Sequence, residues 1–124
     1  VHHVGDVVVV KRRRGKLVPI GILTDRDIVV ATLALKVEPE RVSVGDVMSL
    51  SLVSAKGSDS LAKVIHLMKR HGVRRIPMVG RSGELKGIVA VEDILHFLSR
   101  ELGELAQVFP LQRKIETKRR LRIA

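Results

Sequence analysis

Cysteine, tryptophan and tyrosine are absent from the chain, and its only aromatic side chains are two phenylalanines, Phe97 and Phe109. Without cysteine there is no disulfide, no thiol nucleophile and no cysteine-based metal site. That pattern fits a cytoplasmic protein. The scarcity of aromatic rings removes the stacking platforms that usually hold single-stranded nucleic acid. Long apolar runs are missing as well. No unbroken one is longer than Val7–Val10, against the roughly 20 residues of a membrane-spanning helix. The start, Val1-His2-His3, lacks the basic step and apolar stretch of a secretory signal, and the two histidines read as a terminal remnant and not a metal site. No Walker-type loop and no nucleophile–base pair appears, and His66, His71 and His96 have no carboxylate at fixed spacing. The chain is therefore read as non-enzymatic, with no catalytic residue and no metal.

The charge is unevenly placed. Net charge is +10, but Lys11, Arg12, Arg13, Arg14 and Lys16 supply +5, and Arg113, Lys114, Lys118, Arg119, Arg120 and Arg122, less Glu116, supply the other +5. The rest is neutral, which disfavours a general nucleic-acid-binding surface.

An internal repeat sets the architecture. Gly21-Ile22-Leu23-Thr24-Asp25-Arg26-Asp27-Ile28 returns as Gly87-Ile88-Val89-Ala90-Val91-Glu92-Asp93-Ile94, and Val4–Val10 matches Val73–Val79. The offsets are 69 residues upstream (73 − 4) and 66 at the glycines (87 − 21), the difference falling in a loop. Projecting the longer offset places the partners of Leu52 to Gly72 before Val1. The first repeat is thus expected to lack about two dozen N-terminal residues.

Along the chain, Val7–Val10 reads as a fully buried strand, Lys11–Lys16 as a basic loop, and Leu17–Leu23 as a second strand. A helix is expected from Thr24 to about Leu35, then a linker from Glu38 to Met48, and a short strand at Leu52–Ser54. Asp59 or Ser60 caps a helix whose apolar positions are Leu61, Val64, Ile65 and Met68, and Gly72 ends it. Strands at Ile76–Val79 and Leu85–Val89 and a helix from about Val91 to Leu105 complete the second copy.

Thr24-Asp25-Arg26-Asp27 has two readings. One is a capping box, with Thr24 and Asp27 bonding to each other's backbone. The other is an anion site, where free N–H groups and the helix dipole attract a phosphate and Asp27 accepts from ribose hydroxyls. Arg74-Arg75, before the strand that starts Ile76-Pro77, would put fixed positive charge opposite.

These motifs, with Asp46-Val-Met48 and Asp59-Ser60-Leu61, resemble a tandem pair of CBS domains, the Bateman module named after cystathionine β-synthase. The resemblance spans Val4 to about Leu102. It implies a mixed α/β fold of two pseudo-symmetric β-α-β-β-α repeats packed through their sheets, with a C-terminal helix and basic tail. Residues 1–45 would be the first, N-terminally incomplete CBS domain plus linker, 46–105 the second, and 106–124 a helical or disordered tail.

The function implied is regulatory: the family senses AMP, ADP, ATP, NAD or S-adenosylmethionine in clefts between repeats, with no cofactor required. Carried onto this chain, Thr24 lies on the phosphate side, Asp27 on the ribose, and Ile22 and Leu23 give backbone contacts. By analogy with the nucleotide-sensing subunit of AMP-activated protein kinase, Val53, Arg74 and Arg75 come from the partner repeat. With so few aromatic rings in the chain, an adenine would be held between aliphatic groups such as Ile22, Val53 and Pro77. The second cleft, around Ile88 and Asp93, departs from the pattern. Ala90 replaces the threonine and Asp6 stands where Arg75 stands in the other copy, so this site is expected to be weak, empty or selective for an uncharged adenosine group. The resemblance implies a homodimer and an effector protein as partners, with no membrane. The rival reading is a nucleic-acid- or protein-interaction module working through the 11–16 loop and the 113–122 tail.

Overall fold

The computed structural model describes residues 5–123; His2, His3 and Val4 lie outside them. Two compact units emerge, residues 1–89 and 90–124.

In the first unit, β1 (Asp6–Arg13) and β2 (Lys16–Thr24) form an antiparallel two-stranded ribbon. The expected basic loop is instead the tip of this hairpin. Both strands run on until only Arg14 (φ 48°) and Gly15 (φ 77°) remain between them. A two-residue turn with both φ values positive matches the twist of the strands, which is why pairing continues to the end. Glycine takes such a conformation freely, whereas Arg14 pays about 1 kcal/mol for it. Register slips between Val9 and Val10, beside Pro19, which has no N–H to give the ladder. Val7–Val10 is not fully buried: Val7 is 45% exposed and the other three are half-buried. A ribbon of two strands lacks the covering on both faces that a buried central strand has.

Thr24 caps α1 (Asp25–Val29), and the chain then continues as a π-helical turn, Val30–Ala34, where one uniform helix was expected. The Thr32 hydroxyl donates to the Ile28 carbonyl at 2.8 Å, a back-bond of the kind that bends helices. Lys36, with φ 52°, ends the segment. The linker holds a 3₁₀ turn (Pro39–Arg41) and the single-turn α2 (Val44–Val47). Ser49 then forms a one-residue bridge with Ile22, its N–H donating at 2.8 Å and its carbonyl accepting at 3.1 Å.

The next strand, β3, is Ala55–Lys56 and not the expected Leu52–Ser54. Its position is fixed by parallel pairing with Met78 and Val79, a partner 23 residues away (78 − 55), and not by the local apolar pattern. Ser60 caps α3 (Leu61–His71) by accepting from the Lys63 N–H, and Gly72 (φ 63°) ends it. With β4 (Arg75–Val79) and β5 (Leu85–Ala90) the second sheet has the order β3-β4-β5. Ala55, Val64, Met68, Ile76 and Pro77 are its buried centre.

The second unit contains α4 (Val91–Ala106), with Ile94 buried, and α5 (Val108–Ile123), which carries the basic C-terminal residues on a helix. No helix among the described residues is long and apolar enough to cross a membrane.

Candidate functional site

The helix start at Thr24 is closed on itself. The Thr24 N–H donates to Asp27 Oδ2 at 2.9 Å, and the Asp27 N–H donates to Thr24 Oγ1 at 3.1 Å, completing the capping box. The Asp25 N–H donates to the Gly5 carbonyl at 3.0 Å and the Arg26 N–H to Asp25 Oδ1 at 2.8 Å. The expected free amides are therefore all engaged within the protein. Two aspartates in a single short first turn supply the acceptors that an anion would otherwise provide. What remains for a ligand at Thr24 is its hydroxyl hydrogen, because a hydroxyl that accepts can still donate.

Positive charge comes instead from side chains. Ile22, Thr24, Asp25 and Arg26, at the end of β2 and the start of α1, line a cleft of about 510 Å³ with Arg74 and Arg75, which lead into β4. Gly72 and Val73 also line the cleft, with Gly5 and Asp6 from the start of β1. Arg75 Nη1 lies 2.6 Å from Asp6 Oδ1 and 2.8 Å from Oδ2, a partly buried ion pair. Asp6 was expected to belong to the other cleft; it lines this one. The 69-residue offset (75 − 6) already made Asp6 and Arg75 equivalent positions, and equivalent residues of two pseudo-symmetric copies touch only where the copies adjoin. That was the signal available for Asp6. Nothing in the sequence singled out Gly72 and Val73 as lining.

Four expected residues lie elsewhere. Leu23 lines a neighbouring apolar cavity with Ile28, Val44 and Val47. Asp27 borders a third cavity, next to Asp46, and Arg26 borders both this cavity and the cleft. Pro77 is wholly buried in β4, and half-buried Val53 is not part of the lining. Of the second set, Ile88 on β5 is 46% exposed. Asp93 accepts the Ala90 N–H at 2.9 Å, but Ala90 has no side-chain oxygen to accept in return, so α4 carries half a capping box.

Gly21 is explained by its neighbours. A Cβ there would lie 2.7 Å from Met48 Sδ and 2.9 Å from the Ser49 carbonyl oxygen, so only glycine lets the linker dock on β2. Beside the docking point, the Asp46 carboxyl is held below its ordinary pKa by the Ser43 hydroxyl and backbone N–H that it accepts.

Comparison with known proteins adds a family. The family model of the CBS domain matches residues 44–100. A CBS domain-containing protein of Bacillus subtilis is 40% identical over 93 residues, covering 75% of this chain and 62% of that protein. A solved CBS-domain containing protein from Agrobacterium tumefaciens aligns with TM-score 0.61 at 26% identity, over 75% of this chain and 71% of that one. A CBS domain protein from Pyrobaculum aerophilum, solved in complex with AMP, aligns with TM-score 0.62 at 24% identity, over 73% and 66% of the two chains. The chain spans about half the length of the first curated relatives it matches: 46%, 56% and 54%.

Proposed function

We propose that this chain, whose residues 44–100 match the CBS-domain family model and whose fold is that of solved CBS-domain pairs, is a regulatory module that binds an adenine nucleotide in the cleft between Thr24–Arg26 and Arg74–Arg75. The observation that carries this reading is three arginines, Arg26, Arg74 and Arg75, lining one cleft with Thr24 and apolar Ile22. Arginine forks suit the two-oxygen geometry of phosphate, and Ile22 offers an aliphatic face to a base. The ribose belongs at the Arg26 step, where the cleft meets the cavity bordered by Asp27. The AMP complex of the Pyrobaculum relative supports the ligand class.

The module needs no cofactor and catalyses nothing; its output passes to an effector protein, and energy sensing is the role that fits an adenine nucleotide. It works in the cytoplasm as a homodimer joined through its helices. Leu95, Leu102, Leu105 and Phe109 are each more than 60% exposed in the second unit, apolar surface that a second copy would cover. Residues 1–45 and 46–105 form its two CBS repeats, and 106–124 its basic extension.

A thermal-shift screen of AMP, ADP, ATP, NAD, S-adenosylmethionine and adenosine tests the ligand class. At a hundred times its dissociation constant a true ligand stabilises by about 2.7 kcal/mol, a shift of several degrees for a domain this size. No shift with any adenosine compound, with the fold intact, overturns the proposal.

A further inference from the structure

The tip of the β1–β2 ribbon plays no part in the adenosine cleft, and its local chemistry is unfavourable unless something negative meets it. Lys11, Arg12, Arg13, Arg14, Gly15, Lys16 and Leu17 are all exposed. Register places Arg13 directly opposite Lys16, a like-charge cross-strand pair that destabilises a hairpin. Arg14 occupies a left-handed position that Asn or Gly would take with less strain. Lys11, Arg12, Arg13 and Arg14 form no salt bridge among the described residues, and Lys16 donates to Ser82 Oγ at 3.0 Å. Charge repulsion and backbone strain thus coincide at one solvent-facing tip, where Lys11 and the three arginines have no acidic partner among the described residues. Sites that break several local rules together are where function is expected.

We propose that this tip is a binding site for duplex DNA, inserted into the major groove and held by backbone phosphates. Three observations select this partner. Alternation along the strands puts Lys11, Arg13 and Lys16 on one face of the ribbon, Arg12 on the other and Arg14 at the apex, so positive charge points in three directions. A flat anionic membrane or an acidic protein surface would meet one of these faces, whereas a groove has phosphates along both walls. A two-stranded ribbon also fits the major groove of B-form DNA, about 12 Å wide, and not the deep, narrow major groove of duplex RNA. Finally, a recess of about 380 Å³ lies beside the tip, lined by Arg13, Arg14, Lys16, Val18 and Ser82, and has room for a phosphate group. The absence of aromatics from this region removes the means of gripping a single strand. Recognition through phosphates alone is sequence-independent.

The experiment is fluorescence anisotropy of a labelled 20-base-pair duplex of mixed sequence against the full chain, from 50 to 200 mM salt. With four or five phosphate contacts, affinity should fall on the order of 100-fold across that range. The triple variant Arg12→Gln, Arg13→Gln, Arg14→Gly should bind at least tenfold more weakly at 100 mM salt, with the log–log salt slope shallower by about 2.7, or 0.9 for each lost contact. Its melting temperature should not fall, since the variant relieves both the repulsion and the strain. The AMP-induced thermal shift should survive, which separates this site from the adenosine cleft. Unchanged duplex affinity or slope in the variant overturns the proposal, as does loss of binding only when Arg119 and Arg120 are changed to Gln. Equal affinity for duplex RNA overturns groove insertion. Tighter binding to phosphatidylserine vesicles, lost in the same variant, assigns the tip to membranes instead.

Discussion

Arg75 and Asp6 hold the same place in two copies of one repeat, and they are bonded to each other, Nη1 to Oδ1 at 2.6 Å. The cation offered to a phosphate thus already has an internal anion beside it. Asp6→Asn removes that charge and should raise affinity for AMP by about three- to tenfold, and for ATP by more, because repulsion grows with phosphate count. Adenosine affinity should stay constant. The pair is partly exposed, so the stability cost should be at most about 1 kcal/mol. Calorimetry with the three ligands checks it; an equal change for adenosine would show that Asp6 acts through folding.

Asp27→Ala tests two roles at once. Losing the acceptor for the Thr24 N–H should cost about 1 kcal/mol of stability, some 4 °C in this size range. Loss of a charged acceptor for ribose should weaken AMP by a further ten- to hundredfold, or about 1.5 to 3 kcal/mol. A fall in melting temperature with AMP affinity intact would leave Asp27 as a cap only.

Ala90→Thr is the complementary gain. Asp93 already accepts the Ala90 N–H, and a threonine hydroxyl would accept the Asp93 N–H in return, stabilising α4 by about 1 kcal/mol. The variant should melt several degrees higher. By contrast, Asp93→Ala should leave AMP binding at the Thr24 cleft unchanged in titration.

Gly21→Ala should destabilise by about 1 to 3 kcal/mol, since its methyl group would press on Met48 Sδ and on backbone at Ser49. Pairing it with Met48→Ala should recover part of the loss, leaving the backbone share. Denaturant unfolding of the single and double variants measures both.

Acid should weaken the fold in a defined window. Asp59 accepts the Lys56 N–H and pairs with Lys63, and these bonds hold its carboxyl below the ordinary value. Asp46 and Glu84 shift the same way. A lowered folded pKa contributes stability that is complete above the unfolded value and lost as pH falls through the folded one. Melting temperature should therefore hold from neutrality to about pH 4 and drop below it. Asp59→Asn should flatten that drop.

The helix caps at Thr24 and Ser60 and the terminator Gly72 were legible because each depends on residues a few positions apart. The position of β3 was not, since its partner strand lies beyond α3. The hairpin at Arg14-Gly15 was missed for a related reason: five basic residues look like a loop, and only pairing across the turn keeps them extended. That Thr24, Arg74 and Arg75 come to one cleft was readable from motif spacing and the repeat. The engaged amides were not, because the Gly5 carbonyl that takes the Asp25 N–H lies just before β1, 20 residues earlier (25 − 5).

The single bridge between Ile22 and Ser49 gives the cleft a built-in clock. Both amides donate to the other residue's carbonyl, so neither hydrogen can exchange with solvent unless the linker lifts from β2. The two should lose protection at one common rate, and that rate reads how often residues 23 to 48 open as a loop. A ligand resting on Ile22 should slow both amides together, so deuterium uptake at two positions reports occupancy.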